Sequence, residues 1–149
     1  MERFQQFLWD LGELIGLPLH IDKNHACKLL LEEKFTLQLE MSRDQESLLA
    51  IAIITELPPG AFLEKVLKET LKVNSIYHPF GIFGYIKKTN ALTLHQYIDI
   101  EYKATDDVMK CLTLLAQEAE NWRHAIEINQ IPPPHHFKPS SIPPTFMDR

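Results

Sequence analysis

Apolar residues recur along this chain with two periods, and the changes of period divide it into elements. Phe4, Phe7, Leu8, Leu11, Leu14 and Ile15 line one face of a helix expected over residues 2–16. Gly16, followed by Leu17-Pro18, supplies the stop, because glycine tolerates the left-handed turn that ends a helix and proline cannot continue it. The period then drops to two. Ala26 to Leu31 is a short apolar run, and Phe35, Leu37, Leu39 and Met41 alternate with Thr36, Gln38, Glu40 and Ser42, so two strands are expected around the turn Glu32-Glu33-Lys34. Leu48 to Thr55 is apolar on both faces, which predicts a central strand covered by a helix on one side and by something else on the other.

Pro58-Pro59 breaks the chain, and Phe62, Leu63, Val66, Leu67, Thr70 and Leu71 then form a broad stripe down a second helix over Pro59 to Asn74. Beyond Tyr77-His78-Pro79, the segments Ile82 to Lys87 and Leu92 to Ile100 flank Lys88-Thr89-Asn90-Ala91 and read as a hairpin. Thr105-Asp106-Asp107 combines a capping hydroxyl with acids that complement the positive end of a helix. Val108, Leu112, Leu115, Ala119, Trp122 and Ile126 then give the third helix, Asp106 to Ile128, one face for the sheet. The order helix, three strands, helix, two strands, helix is α+β, with an antiparallel sheet packed by helices.

Composition adds a boundary. With 149 residues and 45% hydrophobic side chains, the chain can bury a core without disulfide or metal staples. Of its ten prolines, six fall between Pro132 and Pro144, so residues 1–130 are expected to be the domain and residues 131–149 a Pro-rich, disordered tail. Charge and cysteine usage exclude whole classes of function. The net charge is −5 and no basic run exceeds Lys87-Lys88, which argues against nucleic acid. No apolar stretch is long enough to insert in a membrane, and Met1-Glu2-Arg3-Phe4 lacks the layout of a secretory signal. Cys27 and Cys111 are too far apart for a Cys-x-x-Cys motif and fit two buried thiols in the cytoplasm.

Chemistry is hard to find. There is no Gly-x-x-x-x-Gly-Lys loop, and Gly81-Ile82-Phe83-Gly84 opens a strand rather than a helix, so the glycines read as a bend or a close approach of backbones. His20 and His25 bracket Asp22 in what reads as a polar loop, and His135-His136 sit in the tail without a carboxylate or thiol near them, so no metal or other cofactor is expected. The paired carboxylates Glu32-Glu33, Asp106-Asp107 and Glu118/Glu120 fit a turn, a helix start and a solvated face. No Gly-x-Ser-x-Gly elbow occurs, and the expectation is a protein without catalysis, an enzyme with a noncontiguous site being one alternative. A non-catalytic adaptor whose Pro-rich tail is the ligand of an aromatic groove is another. The positive feature is an excess of apolar faces, on the third predicted strand and at Trp9, which lies off the main stripe of its helix.

This order of elements, with several stretches inside it, resembles the class I chaperones of type III secretion, the Tir chaperone family. The resemblance is carried by Phe7-Leu8-Trp9-Asp10-Leu11-Gly12 to Gly16-Leu17, by Asp22 to Leu31 with its acidic turn, and by the alternating strand Phe35 to Met41. Leu57-Pro58 before the second helix, Gly84-Tyr85 with the Leu92-Leu94 return, and Glu120-Asn121-Trp122 in the closing helix extend it over Phe4 to Gln130. It implies a bacterial, cytoplasmic homodimer that binds the amino-terminal region of secreted effectors and keeps it soluble and partly unfolded for export, with the secretion ATPase as a further candidate partner. It also implies two surfaces. The client patches would draw on Phe4, Phe7, Leu8 and Leu11 of the first helix and on Leu29, Leu31, Phe35, Leu37 and Leu39 of the strands. The dimer contact would draw on Phe62, Val66, Leu67 and Leu71 of the second helix with Tyr85.

Overall fold

The computed structural model describes residues 2–31, 33–44, 46–76, 80–132 and 146–148. Helix α1 runs over Glu2–Ile15 and leads into β1 (Cys27–Leu31), β2 (Phe35–Met41) and β3 (Leu48–Glu56). Helix α2 (Ala61–Asn74), the hairpin β4 (Ile82–Ile86) and β5 (Ala91–Ile98), and helix α3 (Thr105–Glu127) follow. The elements expected from periodicity are all present within a residue or two at most ends. Gly16 ends α1 with φ of 72°. Two starts differ. Helix α2 begins at Ala61 because Gly60, with φ of 151°, stands outside the helix, and α3 is preceded by extended Ala104, so Thr105 is its first helical residue rather than its cap.

All strand pairs are antiparallel, in the spatial order β4-β5-β3-β2-β1, with a sixth strand beyond β1. The registers set which side chains share a face. Leu37 pairs with Leu29 and Ala52, and Ala52 with Leu94, so these four point the same way as Cys27, Leu31, Leu39, Leu48, Ala50 and Phe83. This inner face, with Phe4, Phe7, Leu8 and Leu11 of α1 and Val108, Leu112, Leu115, Ala119 and Trp122 of α3, makes one continuous core. The opposite, outer face carries Lys28, Leu30, Thr36, Gln38 and Glu40 from β1 and β2, then Leu49, Ile51 and Ile53 from β3, and Thr93, His95 and Tyr97 from β5. Strand β3 alternates accordingly: Leu48, Ala50, Ala52 and Ile54 are buried, while Leu49, Ile51 and Ile53 remain half-exposed.

Close packing explains the glycine pair before and within β4. A Cβ on Gly81, whose φ is 137°, would lie 2.7 Å from the His95 carbonyl oxygen, and one on Gly84 would lie 2.9 Å from Thr93 Oγ1. Both are places where the hairpin strands approach too closely for a side chain. At the other end of the sheet, Asp22 organises the turn into β1, its carboxylate accepting the N–H groups of Asn24 at 2.8 Å and Ala26 at 3.1 Å. The bond from Ala26 is the largest influence holding the Asp22 carboxyl below its usual range; desolvation opposes it, and the bond from Asn24 and the charges of Lys28 and His25 add to it.

The two edges of the sheet are treated differently. On the free side of β4, the Asn74 side chain at the end of α2 accepts the Phe83 N–H at 2.9 Å and donates to the Phe83 carbonyl at 2.8 Å. On the free side of β1, Phe146–Asp148 form β6, antiparallel to β1, with Phe146 opposite Leu31, Met147 opposite Leu30 and Asp148 opposite Leu29. These three tail residues depart from the expectation of a tail without structure, because an edge strand offers unpaired N–H and C=O groups that an extended segment can take up. The rest of that expectation, residues 133–145 with His135-His136, lies outside the described residues, as do Glu32 of the first turn and Tyr77-His78-Pro79.

Two measurements check this account of edge and turn. Asn74→Ala is expected to cost about 1–3 kcal/mol in urea unfolding, since it removes two part-buried hydrogen bonds to the Phe83 backbone. Unchanged stability would mean that water replaces the amide without loss. A folded-state pKa below the unfolded value gives stability that is present above about pH 4 and lost as pH falls through the folded pKa. Titrated by carbon NMR, Asp22 is therefore expected to show a midpoint below the ordinary aspartate value of about 3.9, and Asp22→Asn to flatten the acid limb of the stability profile. A midpoint at or above that value would contradict the turn geometry.

Candidate protein-binding surfaces

Amphipathic elements give the core its apolar faces first, and what remains outside defines the surfaces open to a partner. The nine positions expected to face a client all belong to the core. Phe4, Phe7, Leu8, Leu11, Leu29, Leu31, Phe35, Leu37 and Leu39 are at most 6% exposed, packed between α1, α3 and the inner face of the sheet. The physical reason is direct: the stripe that periodicity detects on α1 and the apolar phase of β1 and β2 are the faces that fold inward, and none of these side chains can reach a partner without opening the core. The expected dimer positions divide. Val66 is fully buried and belongs to the core, Phe62, Leu67 and Tyr85 are half-buried at its margin, and Leu71 is 67% exposed. The Tyr85 hydroxyl donates to Asn90 Oδ1 across the hairpin end.

The apolar side chains that do reach solvent lie out of phase with the stripes, as Trp9 does, or at the margin of a stripe, as Leu14 and Leu71 do. Trp9, 67% exposed, and Leu14 project from α1, and Trp9 lies beside Arg3, Gln5 and Gln6 in a shallow depression. On α2, Leu71 stands among Glu64, Lys65, Lys68, Glu69 and Lys72, with Ile76 just beyond the helix. Ile82 and Ile86 of β4 and Tyr97 of β5 are exposed on the outer face, beside half-exposed Leu49, Ile51 and Ile53. His95 sits in this face edge-on to Tyr97 at 6.1 Å between ring centroids, and burial holds its pKa below the usual imidazole value. Trp9 and the doubly apolar β3 carried a sequence signal, whereas Ile82, Ile86 and Tyr97 could be assigned to the outer face only once the register was known.

The ionisable groups serve the scaffold. Buried Glu118 accepts the Trp122 indole N–H at 2.9 Å, and that indole meets the Phe83 ring at 4.6 Å, tying α3 to the hairpin. Arg123 forks onto Glu120 at 2.7 and 2.9 Å and reaches Glu127 at 3.1 Å, while Lys34 from the β1–β2 turn meets Glu120 at 3.5 Å. Glu120 is drawn below the usual carboxylate range by Arg123 and Lys34 despite the desolvation that opposes it, and Arg123 is raised chiefly by its hydrogen bond to Glu120. Asp22, considered with His20 and His25 as a metal loop, spends its carboxylate on the backbone of its own turn. Among the described residues, no group of three or more His, Cys, Asp or Glu side chains could hold a metal ion. No helix among them is long and apolar enough to cross a membrane. The arrangement is suited to binding through apolar surface and strand edges.

Comparison with known proteins agrees with this geometry. No curated protein sequence matches the chain. Among solved structures, a chain of the ExsC–ExsE complex superposes with a TM-score of 0.70 at 23% identity, covering 83% of this chain and 92% of that one. A chain of the HopA1–SchA chaperone–effector complex gives 0.61 at 20% identity, covering 83% and 94%. The Yersinia pestis type III secretion chaperone SycH, in complex with a stable fragment of YscM2, gives 0.58 at 14% identity, covering 78% and 96%. These likenesses establish a shared fold, α+β with helices packed on an antiparallel sheet. The profile of the Tir chaperone protein (CesT) family matches residues 6–123, from α1 to the last turns of α3, and the chain therefore belongs to that family.

Proposed function

We propose that this protein is a type III secretion chaperone that binds the amino-terminal region of secreted effectors by stoichiometric contact, without catalysis, in the bacterial cytoplasm. The observation that carries the reading is the family match over residues 6–123, on a domain that leaves apolar side chains in solvent on α1, α2, β4 and β5 after its core is complete. The solved structures of the same fold include a chaperone–effector complex and a type III secretion chaperone holding a protein fragment, which supports the same use here. A client kept partly unfolded loses chain entropy on binding, so affinity has to come from a large apolar surface and from backbone pairing.

Within this reading the client meets Trp9 of α1 and the outer face of the sheet around Leu49, Ile51, Ile53 and Tyr97. The protein works as a homodimer whose contact includes α2 at Leu71, with Phe62, Leu67 and Tyr85 at its margin. The secretion ATPase is a further partner at the point of export. Placing the client on outward side chains replaces the nine core positions and changes what a mutation tests. Leu37→Glu would place a charge in the core and report folding, so it says nothing of the client.

Purification of the tagged protein from its native host followed by mass spectrometry is expected to recover secreted effectors at near-stoichiometric amounts, and their absence would contradict the reading. Trp9→Ser is expected to weaken binding of the recovered effector by about tenfold or more while the melting temperature stays within a few degrees, as for an exposed aromatic anchor. Light scattering should give a dimer at micromolar concentration, and Leu71→Glu should shift it towards monomer with the fold retained. A strict monomer for the parent protein would count against the homodimer.

A further inference from the structure

Both edges of the sheet are covered in the described structure, by devices of different kinds. At β4 the cover is a side chain: Asn74, fixed at the end of α2, satisfies both backbone groups of Phe83. At β1 the cover is a strand, Phe146–Asp148, which comes from beyond the domain and pairs with Leu29, Leu30 and Leu31. An incoming extended chain meets these two edges on unequal terms. To add at β4 it must break the Asn74 bonds and leave that amide without partners. To add at β1 it exchanges one strand for another, so backbone hydrogen bonds lost by β6 are remade by the newcomer.

We propose that β6 is a tethered competitor at the β1 edge, displaced when an extended client segment pairs there. The inference rests on the chaperone reading given above, and three observations support it. Strand β6 spans only three residues, short enough to be displaced, and the chain joins it to the domain, so it competes for the edge as an intramolecular strand. Its described residues pair with three of the five β1 residues, Leu29 to Leu31, and a client strand that pairs along the whole of β1 makes more backbone bonds. Phe146 lies opposite Leu31 and packs half-buried against the core, which marks where a client side chain would seat. The client chemistry that fits is an extended segment with an aromatic or large aliphatic residue opposite Leu31. A self-paired edge also keeps the chain from pairing with further copies of itself while no client is present.

The test uses the full chain, the chain lacking residues 146–149, and the full-length variants Phe146→Ser and Met147→Pro, the last because proline cannot donate to a strand ladder. Two probes are needed: a labelled peptide of residues 142–149, and the amino-terminal fragment of the effector recovered with the protein. The peptide should bind the truncated chain and slow amide exchange in β1, bind the full chain about tenfold more weakly or worse, and be released by the effector fragment. The effector fragment should bind the truncated chain and both variants about tenfold more tightly than the parent, a difference of about 1.4 kcal/mol. An effector affinity that is unchanged or weakened by the deletion, or peptide and effector bound together, would overturn the tethered competitor while leaving the chaperone reading in place. If neither form of the chain binds the effector fragment, the chaperone reading itself fails.

Discussion

Burial of one face of a single antiparallel sheet under α1 and α3 is the contact on which everything else in this molecule depends. It consumes the apolar phase of β1, β2 and β3, the main stripe of α1 and the long stripe of α3. Each Leu or Phe side chain moved from water into that layer contributes roughly 1.5–3 kcal/mol, so the layer has first claim on the strongest apolar positions. Once it is satisfied, the apolar residues left over cannot be core by default. Among them are Ile82, Ile86 and Tyr97 on the outer face of the sheet, Trp9 on the solvent side of α1, and Leu71 on α2.

That order of priority explains which parts of the account were legible in the sequence. Period alone located the helices and five strands, because Phe4 to Ile15 and Phe35 to Met41 can satisfy their neighbours in only one type of element. The same signal misled the assignment of binding residues. An apolar stripe identifies a face that must leave water, and it does not distinguish leaving water against the chain's own sheet from leaving it against another protein. Leu37 and Leu39 carry the pattern of a contact surface, yet they lie on the inner face against the chain's own helices. The better signal was apolar character out of phase: Trp9 off its stripe, and Ile51 and Ile53 on the strand whose two faces are both apolar. Ile82, Ile86 and Tyr97 had no such mark, since their exposure follows from the β4–β5–β3 register. Strand β6 was invisible for a different reason. Three residues carry too little pattern to identify a strand, and what orders them is the open edge of β1, a tertiary feature.

The polar groups have a consistent part in this arrangement. Asn74 closes one sheet edge, Asp22 sets the turn into β1, Glu118 bonds the Trp122 indole that packs on Phe83, and Glu120 meets Lys34 of the β1–β2 turn. None of these contacts needs a ligand to be complete, which leaves partner recognition to apolar side chains and backbone. The net charge of −5 makes copies of the chain repel one another, favouring solubility of a protein that keeps apolar side chains exposed.

Isoleucine methyl NMR tests the central division between core and partner surface most directly, because the chain places isoleucines on both sides of it. Ile54 and Ile98 are buried, whereas Ile51 and Ile53 are half-exposed on the outer face. On addition of the bound effector's amino-terminal fragment, the methyl signals of Ile51 and Ile53 are expected to shift or broaden while those of Ile54 and Ile98 stay in place. Shifts confined to the core methyls, with the outer-face methyls unmoved, would contradict the assignment of that face to the client.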